Sequence, residues 1–499
     1  MTDINNNLET AAHPENLRRV AIEPVSRVEG HGKVALLLDE NDRVHQVRLH
    51  IVEFRGFEKF IQGRPYWEAP VMVQRLCGIC PVSHNIAASK AFDAIVGATR
   101  LTPTAEKIRR LMHYGQIMQS HALHFFHLCS PDLLFGFDSD VARRNIAGVA
   151  REHPETARRG VLLRRFGQEV IRVTAGKRVH GTGAIPGGVN KAVTIEERDA
   201  LLTHVYHMVA WSREAVRLVE QLHTQNPALY NSFGVFRSNM MSLVGTDGAL
   251  DFYDGALRAR TDSGELIFDG VDYRGYDRYI EEEVKPWSYM KFPFLTSLGK
   301  EKGWYRVGPL SRIQNCDHIP TPLAEIERRQ FLDYCGGTPM HAPLAYHWAR
   351  MIEMLHAVET IKDLLHDDDI LGDDLVTGGP RALEGVGVIE APRGTLIHHY
   401  RVDESDLVTM CNLIVSTTHN NQAMNEAIRN VAKRYLNGHT LTEGLLNHIE
   451  VVIRAFDPCL SCATHALGRM PLAVELVDAE GTVVGRLSTD GAATEGGAD

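Results

Sequence analysis

The chain has 499 residues, 44% of them hydrophobic and 23% charged, and a formal net charge of −10. This is the composition of an ordinary globular protein with enough apolar residues for a large core, and the length allows about two to four domains. The negative charge argues against nucleic acid or an anionic membrane surface as the main partner, and the basic cluster at 157–165 is more typical of a solvated or interface face.

Residues 1–19 are polar and are predicted to form a flexible extension, without the apolar segment of a signal peptide. No stretch approaches about 18 apolar residues, so no membrane-spanning helix is expected. Eight cysteines are too few for a secreted disulfide framework, which favours a reducing compartment. We expect a cytoplasmic protein, although a subunit exported together with a signal-bearing partner would look the same.

The region 20–60 is predicted to be β-rich, because strand patterns at 34–38 and 44–52 flank a polar turn at 39–42. A helical core is predicted over 100–240 and 320–465. Apolar spacing and capping residues predict four helices there: 104–128 with Thr104 as its N-cap, 194–222 opened by the capping box Thr194-Ile-Glu-Glu197, 342–365, and 420–436 with a stop near Asn437-Gly438.

The stretch 245–315 is rich in glycine and aromatic residues and is predicted to be a mixture of short strands and turns. Near the C-terminus, 472–487 has the pattern of a hairpin, and 488–499 is small and polar. The fold class expected is α+β, with a mainly helical core, a β-rich N-terminal part and small peripheral β elements.

Two Cys-x-x-Cys pairs, Cys77-Gly-Ile-Cys80 and Cys459-Leu-Ser-Cys462, lie near opposite ends of the chain. If the fold brings them together, four thiolates form a site for a soft metal. By spacing alone, a structural zinc site fits equally well. A thioredoxin-like dithiol needs only one pair near a βαβ unit, and no such unit is evident. The remaining cysteines are expected to be buried as small hydrophobic residues: Cys129, Cys316, Cys335 and Cys411.

The neighbours of these cysteines resemble the signature motifs of the catalytic large subunit of [NiFe] hydrogenases. Five ordered motifs carry the resemblance: Arg27-Val-Glu29-Gly-His31, Arg55-Gly-Phe-Glu58, Arg75-Leu-Cys77-Gly-Ile-Cys80-Pro-Val-Ser-His84, Glu390-Ala-Pro-Arg393-Gly394 and Asp457-Pro-Cys459-Leu-Ser-Cys462-Ala-Thr-His465. The resemblance extends from about residue 20 to 487. It is strongest to the soluble, NAD-reducing or bidirectional branch, which the stretch Gly394-Thr-Leu-Ile-His-His-Tyr400 also resembles.

The resemblance implies a nickel–iron centre. Cys77 and Cys459 would be terminal nickel ligands, and Cys80 and Cys462 would bridge nickel to iron, which would also carry carbon monoxide and cyanide. It further implies a magnesium or iron ion near the C-terminus. The ligands of that ion would be the Glu58 carboxylate, the Leu413 backbone carbonyl and the His465 imidazole.

The resemblance also implies roles in heterolytic H₂ cleavage. Glu29 would relay the proton from Cys459, and a buried carboxylate with a raised pKa suits that role. Arg393 would face the open metal position and act by orientation and electrostatics, since arginine is normally always protonated.

Further residues around the metals follow from the same resemblance. Their implied roles are a hydrogen bond to a bridging thiolate from His84, a canopy over the metals from Pro392 and Asp457, and a hydrogen bond to cyanide from Thr417. Ser120 stands where membrane-bound relatives carry an acidic residue, which leaves that part of the network in doubt.

The resemblance also implies that the C-terminal segment is removed by proteolysis during maturation. A dedicated protease would cut between His465 and Ala466 once nickel-insertion factors have loaded the site, so 466–499 would be removed from the catalytic unit 20–465.

The expected partners are a small subunit with a [4Fe–4S] cluster and diaphorase subunits with FMN, iron–sulfur clusters and NAD. The chain itself has no dinucleotide fingerprint and too few cysteines for a cluster chain.

Other functions stay open at this level. A hydrogenase coupled to NADP or a deazaflavin would carry the same motifs. So would an H₂-sensing subunit, although such sensors usually lack the cleavable tail. A quinone-binding subunit of complex I shares the fold but has lost the four cysteines, so their presence excludes that function.

Overall fold

The computed structural model describes residues 18–38, 43–51, 56–436 and 442–464, together with the backbone of strands at 473–477 and 483–488. The following predictions therefore lie outside the described residues: most of the extension at 1–19, the turn at 39–42, Arg55, the helix stop at 437–438, His465 and Ala466.

Among the described residues the strands are β1 (Arg18–Ile22), β2 (Gly32–Leu38), β3 (Val44–Ile51), β4 (Ala184–Ile185), β5 (Gly188–Val189), β6 (Asn239–Val244), β7 (Ala256–Arg260), β8 (Leu266–Val271), β9 (Ile280–Glu283), β10 (Phe292–Leu295), β11 (Tyr305–Arg306), β12 (Glu384–Ala391), β13 (Gly394–Val402), β14 (Val408–Ile414), β15 (Ala473–Val477) and β16 (Val483–Ser488). The α-helices are α1 (Phe57–Ile61), α2 (Ala69–Met72), α3 (Pro81–Ile95), α4 (Pro103–Leu123), α5 (Ser130–Phe135), α6 (Ile146–Glu152), α7 (Pro154–Ala175), α8 (Ile195–Gln225), α9 (Pro227–Tyr230), α10 (Gly299–Lys302), α11 (Pro309–Asn315), α12 (Pro322–Tyr334), α13 (Ala345–Leu365), α14 (Ser416–His419), α15 (Asn421–Tyr435) and α16 (Glu443–Ala455). A π-helical segment, His124–Cys129, continues α4.

The core is a layer of long helices in which α4 packs against α7 and α13, and α8 packs against α7 and α13. Helix α13 is buried almost all round, with Trp348, Met351 and Leu355 in the main apolar cluster. A helix that is apolar on every side belongs at the centre of a large core. None of the described helices is both long and apolar enough to cross a membrane.

Small sheets cover this layer. Strands β1, β2 and β3 form an antiparallel sheet, and so do β12, β13 and β14, each in sequential order. Strands β11, β6, β7 and β8 form a third sheet in that order. The mainly helical α+β fold class is therefore confirmed, as is the β-rich N-terminal part.

The local predictions have mixed outcomes. The capping box at Thr194 is present in both directions and opens α8. The prediction that Thr104 caps α4 is wrong: Pro103 takes the first helical position, and the Thr102 hydroxyl accepts from the Ala105 N–H at 3.1 Å. The predicted hairpin near the C-terminus is confirmed as the antiparallel pair β15 and β16.

One difference concerns a region predicted as helical core. The sheet of β12, β13 and β14 lies inside 320–465 and was not predicted, because strands buried on both faces lose their alternating pattern. The basic cluster at 157–165 lies on α7. There the exposed Arg158 and the half-buried Arg159 both pair with Glu155 within one helix, as on a solvated face.

Helix α3 lies directly on strand β12, and glycine makes this approach possible. A Cβ added at Gly387 would lie 2.1 Å from the Ala87 carbonyl oxygen and 2.6 Å from the Ala91 nitrogen. Both are backbone atoms of α3, so a side chain cannot be accommodated by rotamer changes. Any side chain at this position must therefore push α3 away from the sheet.

We predict that Gly387→Ala lowers the free energy of unfolding by about 1–3 kcal/mol, because it overpacks the contact between α3 and β12. Urea unfolding of the purified chain measures this. The matched control is Gly275→Ala, whose added Cβ would meet nothing within 4 Å and should change stability by less than about 0.5 kcal/mol. Equal stabilities for the two variants would contradict the close approach.

Candidate metal centre

The two Cys-x-x-Cys pairs meet in one buried place. The sulfur of Cys77 lies 3.2 Å from that of Cys459, and the sulfur of Cys80 lies 3.8 Å from that of Cys462. Within the second pair the sulfurs of Cys459 and Cys462 are 2.8 Å apart. Each of the four residues is at most 5% exposed, and all are free thiols. The fold therefore builds a single cluster of four sulfurs.

The first pair lies in a loop that leads into α3. Cys77 follows the 3₁₀ turn Val73–Leu76, and Cys80 precedes the first residue of α3. The Cys80 N–H donates to the Cys77 sulfur at 3.1 Å. On the facing helix α4, the side-chain amides of Gln116 and Gln119 both donate to the Ile79 carbonyl, at 2.8 and 2.7 Å. Two hydrogen bonds from a rigid helix thus fix the loop between the first two cysteines.

The second pair follows α16 and is held by contacts from distant parts of the chain. The Cys459 N–H donates to the Thr417 hydroxyl at 2.9 Å, and the Leu460 N–H donates to the Glu29 carbonyl at 2.9 Å. Glu29 and Cys459 also form an isolated parallel β-bridge. A Cβ at Gly30 would lie 2.6 Å from the Ser461 nitrogen, so only glycine allows this approach. The N-terminal segment is therefore part of the site.

The donor set suits a soft metal. Sulfurs that share one ion at about 2.3 Å lie roughly 3–4 Å apart, close to the spacing here. Burial opposes ionisation of Cys77, but hydrogen bonds from the thiols of Cys459, Cys462 and Cys80 outweigh it and hold its pKa well below the ordinary value. Burial raises the pKa of Cys459 and Cys462 well above the ordinary value. The protein alone thus favours one thiolate, and a cation is needed to stabilise four.

A buried ion pair lies beside the sulfurs. The Arg393 Nε donates to the Asp457 carbonyl at 2.6 Å, and its terminal nitrogen lies 3.0 Å from the Asp457 carboxylate. Asp457 has a φ of 53°, a left-handed conformation that a non-glycine residue adopts rarely. Burial opposes the charge on Arg393, yet Asp457 and the sulfurs keep its pKa well above the ordinary value. The guanidinium is therefore a fixed cation.

Ser120 contacts the same guanidinium more loosely, with its hydroxyl 3.5 Å from an Arg393 terminal nitrogen. The serine is completely buried on α4. A neutral hydroxyl at this place leaves Asp457 as the carboxylate that holds Arg393. Ser120 thus adds a polar contact to Arg393 without adding a charge.

Glu29 reaches the cluster through its carboxylate. The Glu29 Oε2 lies 2.9 Å from the Cys459 sulfur and accepts the Ser461 N–H at 3.1 Å. Burial, followed by the negative charge of Cys77, raises the pKa of Glu29 above its ordinary value. Glu29 is only partly buried in this chain. The carboxylate can therefore exchange a proton with the sulfur on one side and lies towards the outside of the core on the other.

The other predicted residues lie nearby. A very small cavity, of about 10 Å³, borders the cysteines, and its lining includes His84, Pro392, Arg393 and Thr417. Glu58 accepts the Leu413 N–H at 2.8 Å, whereas the predicted contact there involved the Leu413 carbonyl. Burial outweighs the charge of Lys291 and the hydrogen bond from the Leu413 N–H, and it raises the pKa of Glu58 to about 7. His465, the third predicted ligand of that ion, lies outside the described residues.

Some residues around the cluster were missed by sequence reasoning. The loop-fixing Gln116 and Gln119 are spaced three apart on one helix face, which was the available signal. His180 places Nε2 at 3.0 Å from the Cys77 carbonyl oxygen, and no motif marks it. His398 lies 3.1 Å from His84, ring nitrogen to ring nitrogen, and the signal was the histidine doublet before Tyr400.

A second buried group of possible ligands consists of His124, Cys129 and His347. His124 Nε2 lies 2.6 Å from the Arg454 carbonyl oxygen and 3.1 Å from the Cys129 sulfur. Burial, and then the charge of Arg350, holds the pKa of His124 well below the ordinary value. A neighbouring cation opposes a metal ion, so this group fits a buried hydrogen-bonded cluster.

Comparison with known proteins agrees with this geometry. A family model described as "Nickel-dependent hydrogenase" matches residues 55–137 and 260–465, and one described as "HoxL-like" matches residues 19–54. The chain is 48% identical over 482 residues to "NAD-reducing hydrogenase HoxS subunit beta" of Cupriavidus necator, covering 94% of this chain and 99% of the relative. It is 41% identical over 467 residues to a vhc F420-non-reducing hydrogenase chain of Methanococcus voltae, covering 91% and 96%.

Solved structures give the same picture. The crystal structure of an NAD⁺-reducing [NiFe]-hydrogenase in the H₂-reduced state matches with a TM-score of 0.89 and 59% identity, over 90% of this chain and 99% of that one. The [NiFeSe]-hydrogenase of Dm. baculatum matches with a TM-score of 0.72 at 21% identity, over 90% of this chain and 100% of that one. At that identity the second match shows a shared fold only.

Proposed function

The chain belongs to the nickel-dependent hydrogenase family, and from that premise we propose that it is the catalytic large subunit of an NAD-reducing [NiFe] hydrogenase. It would cleave and form H₂ reversibly and exchange electrons with NAD⁺ through partner subunits. The observation that carries this proposal is the buried cluster of four sulfurs with the Glu29 carboxylate 2.9 Å from one of them. In a structural zinc site with four thiolate ligands, neither that carboxylate nor Arg393 would have a role.

The sulfur cluster would hold the nickel–iron pair. Cys77 and Cys459 would be terminal ligands of nickel, and Cys80 and Cys462 would bridge to iron, which would carry carbon monoxide and cyanide. When bound, the metal pair supplies the Lewis acidity that polarises H₂ and makes one of its hydrogens acidic. Pro392 and Thr417 line the small cavity beside the sulfurs, so they are the residues that would surround groups bound to iron.

The proton would leave through Glu29. The Cys459 sulfur and the Glu29 carboxylate are already at hydrogen-bond distance, so transfer requires no rearrangement. Burial raises the pKa of Glu29 above its ordinary value, which helps the carboxylate to hold a proton. The Ser461 N–H would stabilise the carboxylate after it passes the proton on.

Arg393 would act as a fixed charge and not as a base. It keeps its proton because Asp457 and the sulfurs surround it. Its hydrogen bonds to the Asp457 carbonyl and carboxylate hold the guanidinium in one orientation beside the cavity. A cation so placed would stabilise negative charge that develops when H₂ is split.

A divalent ion, magnesium or iron, would bind near the C-terminus with Glu58, Leu413 and His465 as ligands. The buried Glu58 carboxylate, with its pKa raised to about 7, supports a cation at this place. Such an ion would tie the end of the mature chain to α1 and β14.

The electrons must leave through other proteins. We propose a small subunit with a [4Fe–4S] cluster and diaphorase subunits with FMN, iron–sulfur clusters and NAD, working in the cytoplasm, where NAD is available. The similarity to an NAD-reducing hydrogenase subunit supports this acceptor over NADP or a deazaflavin.

The metal assignment predicts that Cys459→Ser loses nickel, because a hydroxyl is a poor soft-metal ligand. The complex containing wild-type chain should hold nickel and iron in a ratio near one, with the iron of the partner subunits subtracted. Elemental analysis of both preparations measures this. As a control, Cys335→Ser removes a half-buried cysteine outside the cluster and should keep the nickel. Zinc without nickel in the wild type would refute the assignment.

The proton route predicts that Glu29→Gln keeps nickel and iron but lowers the rate of H₂/D⁺ exchange by at least about 100-fold. Glutamine can still accept the Ser461 N–H but cannot carry the proton. Mass spectrometry of the HD formed measures the exchange. In the control Glu23→Gln, an exposed carboxylate of the same segment is removed and exchange should be unchanged. Full exchange in Glu29→Gln would exclude Glu29 from the route.

Maturation should end the chain at His465, with 466–499 removed by a protease after nickel insertion. Mass spectrometry of active complex is then expected to show a chain that ends at this histidine, and chain made without nickel should keep the tail. Active enzyme with an intact tail would contradict the role of His465 and Ala466 in processing.

A further inference from the structure

A row of three buried polar side chains leads away from the sulfur cluster. The His84 Nδ1 lies 3.1 Å from the His398 Nε2, and the His398 Nδ1 lies 2.7 Å from the Tyr400 hydroxyl. None of the three is more than 1% exposed. At its other end the row reaches the cavity beside the metals, where His84 lies together with Cys80 and Cys462.

The backbone holds this row in place. His84 is on α3, and His398 and Tyr400 are two apart on β13, so they share one face of the strand. The Tyr400 ring stacks on Phe92, also on α3, with ring centroids 4.5 Å apart. Helix and strand are thus tied together at both ends of the row, which leaves the side chains little freedom to turn.

The chemistry of the row gives its hydrogen bonds a direction. The Tyr400 hydroxyl has two partners, the His398 Nδ1 at 2.7 Å and the Cys411 thiol. A neutral imidazole nitrogen is a better acceptor than a thiol, so the hydroxyl donates to His398 Nδ1 and the thiol can donate to the hydroxyl oxygen. Burial raises the pKa of Tyr400 well above its ordinary value, so the hydroxyl keeps its proton. His398 then carries its own proton on Nε2 and must donate it to the His84 Nδ1.

This leaves His84 with its proton on Nε2. A neutral imidazole has one N–H, so when one ring nitrogen accepts a hydrogen bond the proton must be on the other nitrogen. A donor at this place suits sulfurs that become negative when they bind metal, because a thiolate accepts a hydrogen bond and a lone pair would repel it. The hydrogen bond donated by Tyr400 therefore determines that His84 presents an N–H on the side of the cluster.

We propose that His398 and Tyr400 are positioning residues that fix the tautomer of His84, so that its Nε2–H faces the small cavity that it lines together with Cys80 and Cys462. This inference rests on the proposed function, since it concerns the two sulfurs that would bridge nickel and iron. The role of the row is to set the electron donation of those sulfurs and not to transfer protons. It explains why a tyrosine two residues beyond His398 is buried without contact to the metals.

The test is Tyr400→Phe, which removes one oxygen and keeps the ring that stacks on Phe92. Infrared spectra of the complete complex record the stretching bands of carbon monoxide and cyanide on iron. Without the donor at Tyr400, His398 can carry its proton on Nδ1 instead of Nε2. His84 can then carry its proton on Nδ1 and present the lone pair of Nε2 on the side of the sulfurs. The sulfurs then donate more charge to the iron, and the bands should move to lower wavenumber.

The matched control is Tyr276→Phe. Tyr276 is also buried and lies 3.2 Å from a histidine of the same strand, His399, but on the opposite face. Its removal should leave the bands in place. His398→Leu is a second variant that breaks the same row, and it should move the bands in the same direction as Tyr400→Phe.

A double variant decides whether the effect passes through His84. In a His84→Leu background, adding Tyr400→Phe should cause no further shift. An equal shift there, no shift in Tyr400→Phe alone, or the same shift in Tyr276→Phe would each overturn the relay. Wild-type complex that has no such bands and no nickel would instead overturn the proposed function, and the relay with it.

Discussion

Everything at this site depends on one contact between segments from opposite ends of the chain. The Glu29 carbonyl accepts the Leu460 N–H, and its carboxylate lies against the Cys459 sulfur and accepts the Ser461 N–H. One residue thus both positions the second cysteine pair and supplies the acid beside it. The helical layer around α13 serves as the rigid support against which these two ends close.

The second constraint is electrostatic. Four sulfurs in a dry place cannot all be ionised without cations, and the protein supplies one fixed cation in Arg393. Asp457 compensates that charge in turn and holds the guanidinium in one orientation. A bound metal would supply the positive charge that four thiolates need beyond that of Arg393, so the site favours metal binding. His84, reached by the row from Tyr400, adds a directed hydrogen-bond donor on the other side.

Much of this site was predictable from the sequence, because the ligands come in short motifs. The spacing within each cysteine pair singled out Cys77 with Cys80 and Cys459 with Cys462, whereas Glu29 and Arg393 were named by the family resemblance of their motifs. The structure brings all six together. The positions of Gln116, Gln119 and His398 were not predictable, since their partners lie far away in the chain and no local rule encodes the contact. The sheet of β12, β13 and β14 escaped prediction for a related reason. Burial on both faces erased the alternation that marks a strand.

The central claim is that the four cysteines hold a nickel–iron pair. X-ray absorption at the nickel edge of the active complex tests it most directly. We expect a nickel ion surrounded by sulfur ligands, with an iron neighbour, and loss of this signature in Cys459→Ser. Nickel bound only by nitrogen and oxygen, or a chain that carries zinc in its place, would contradict it.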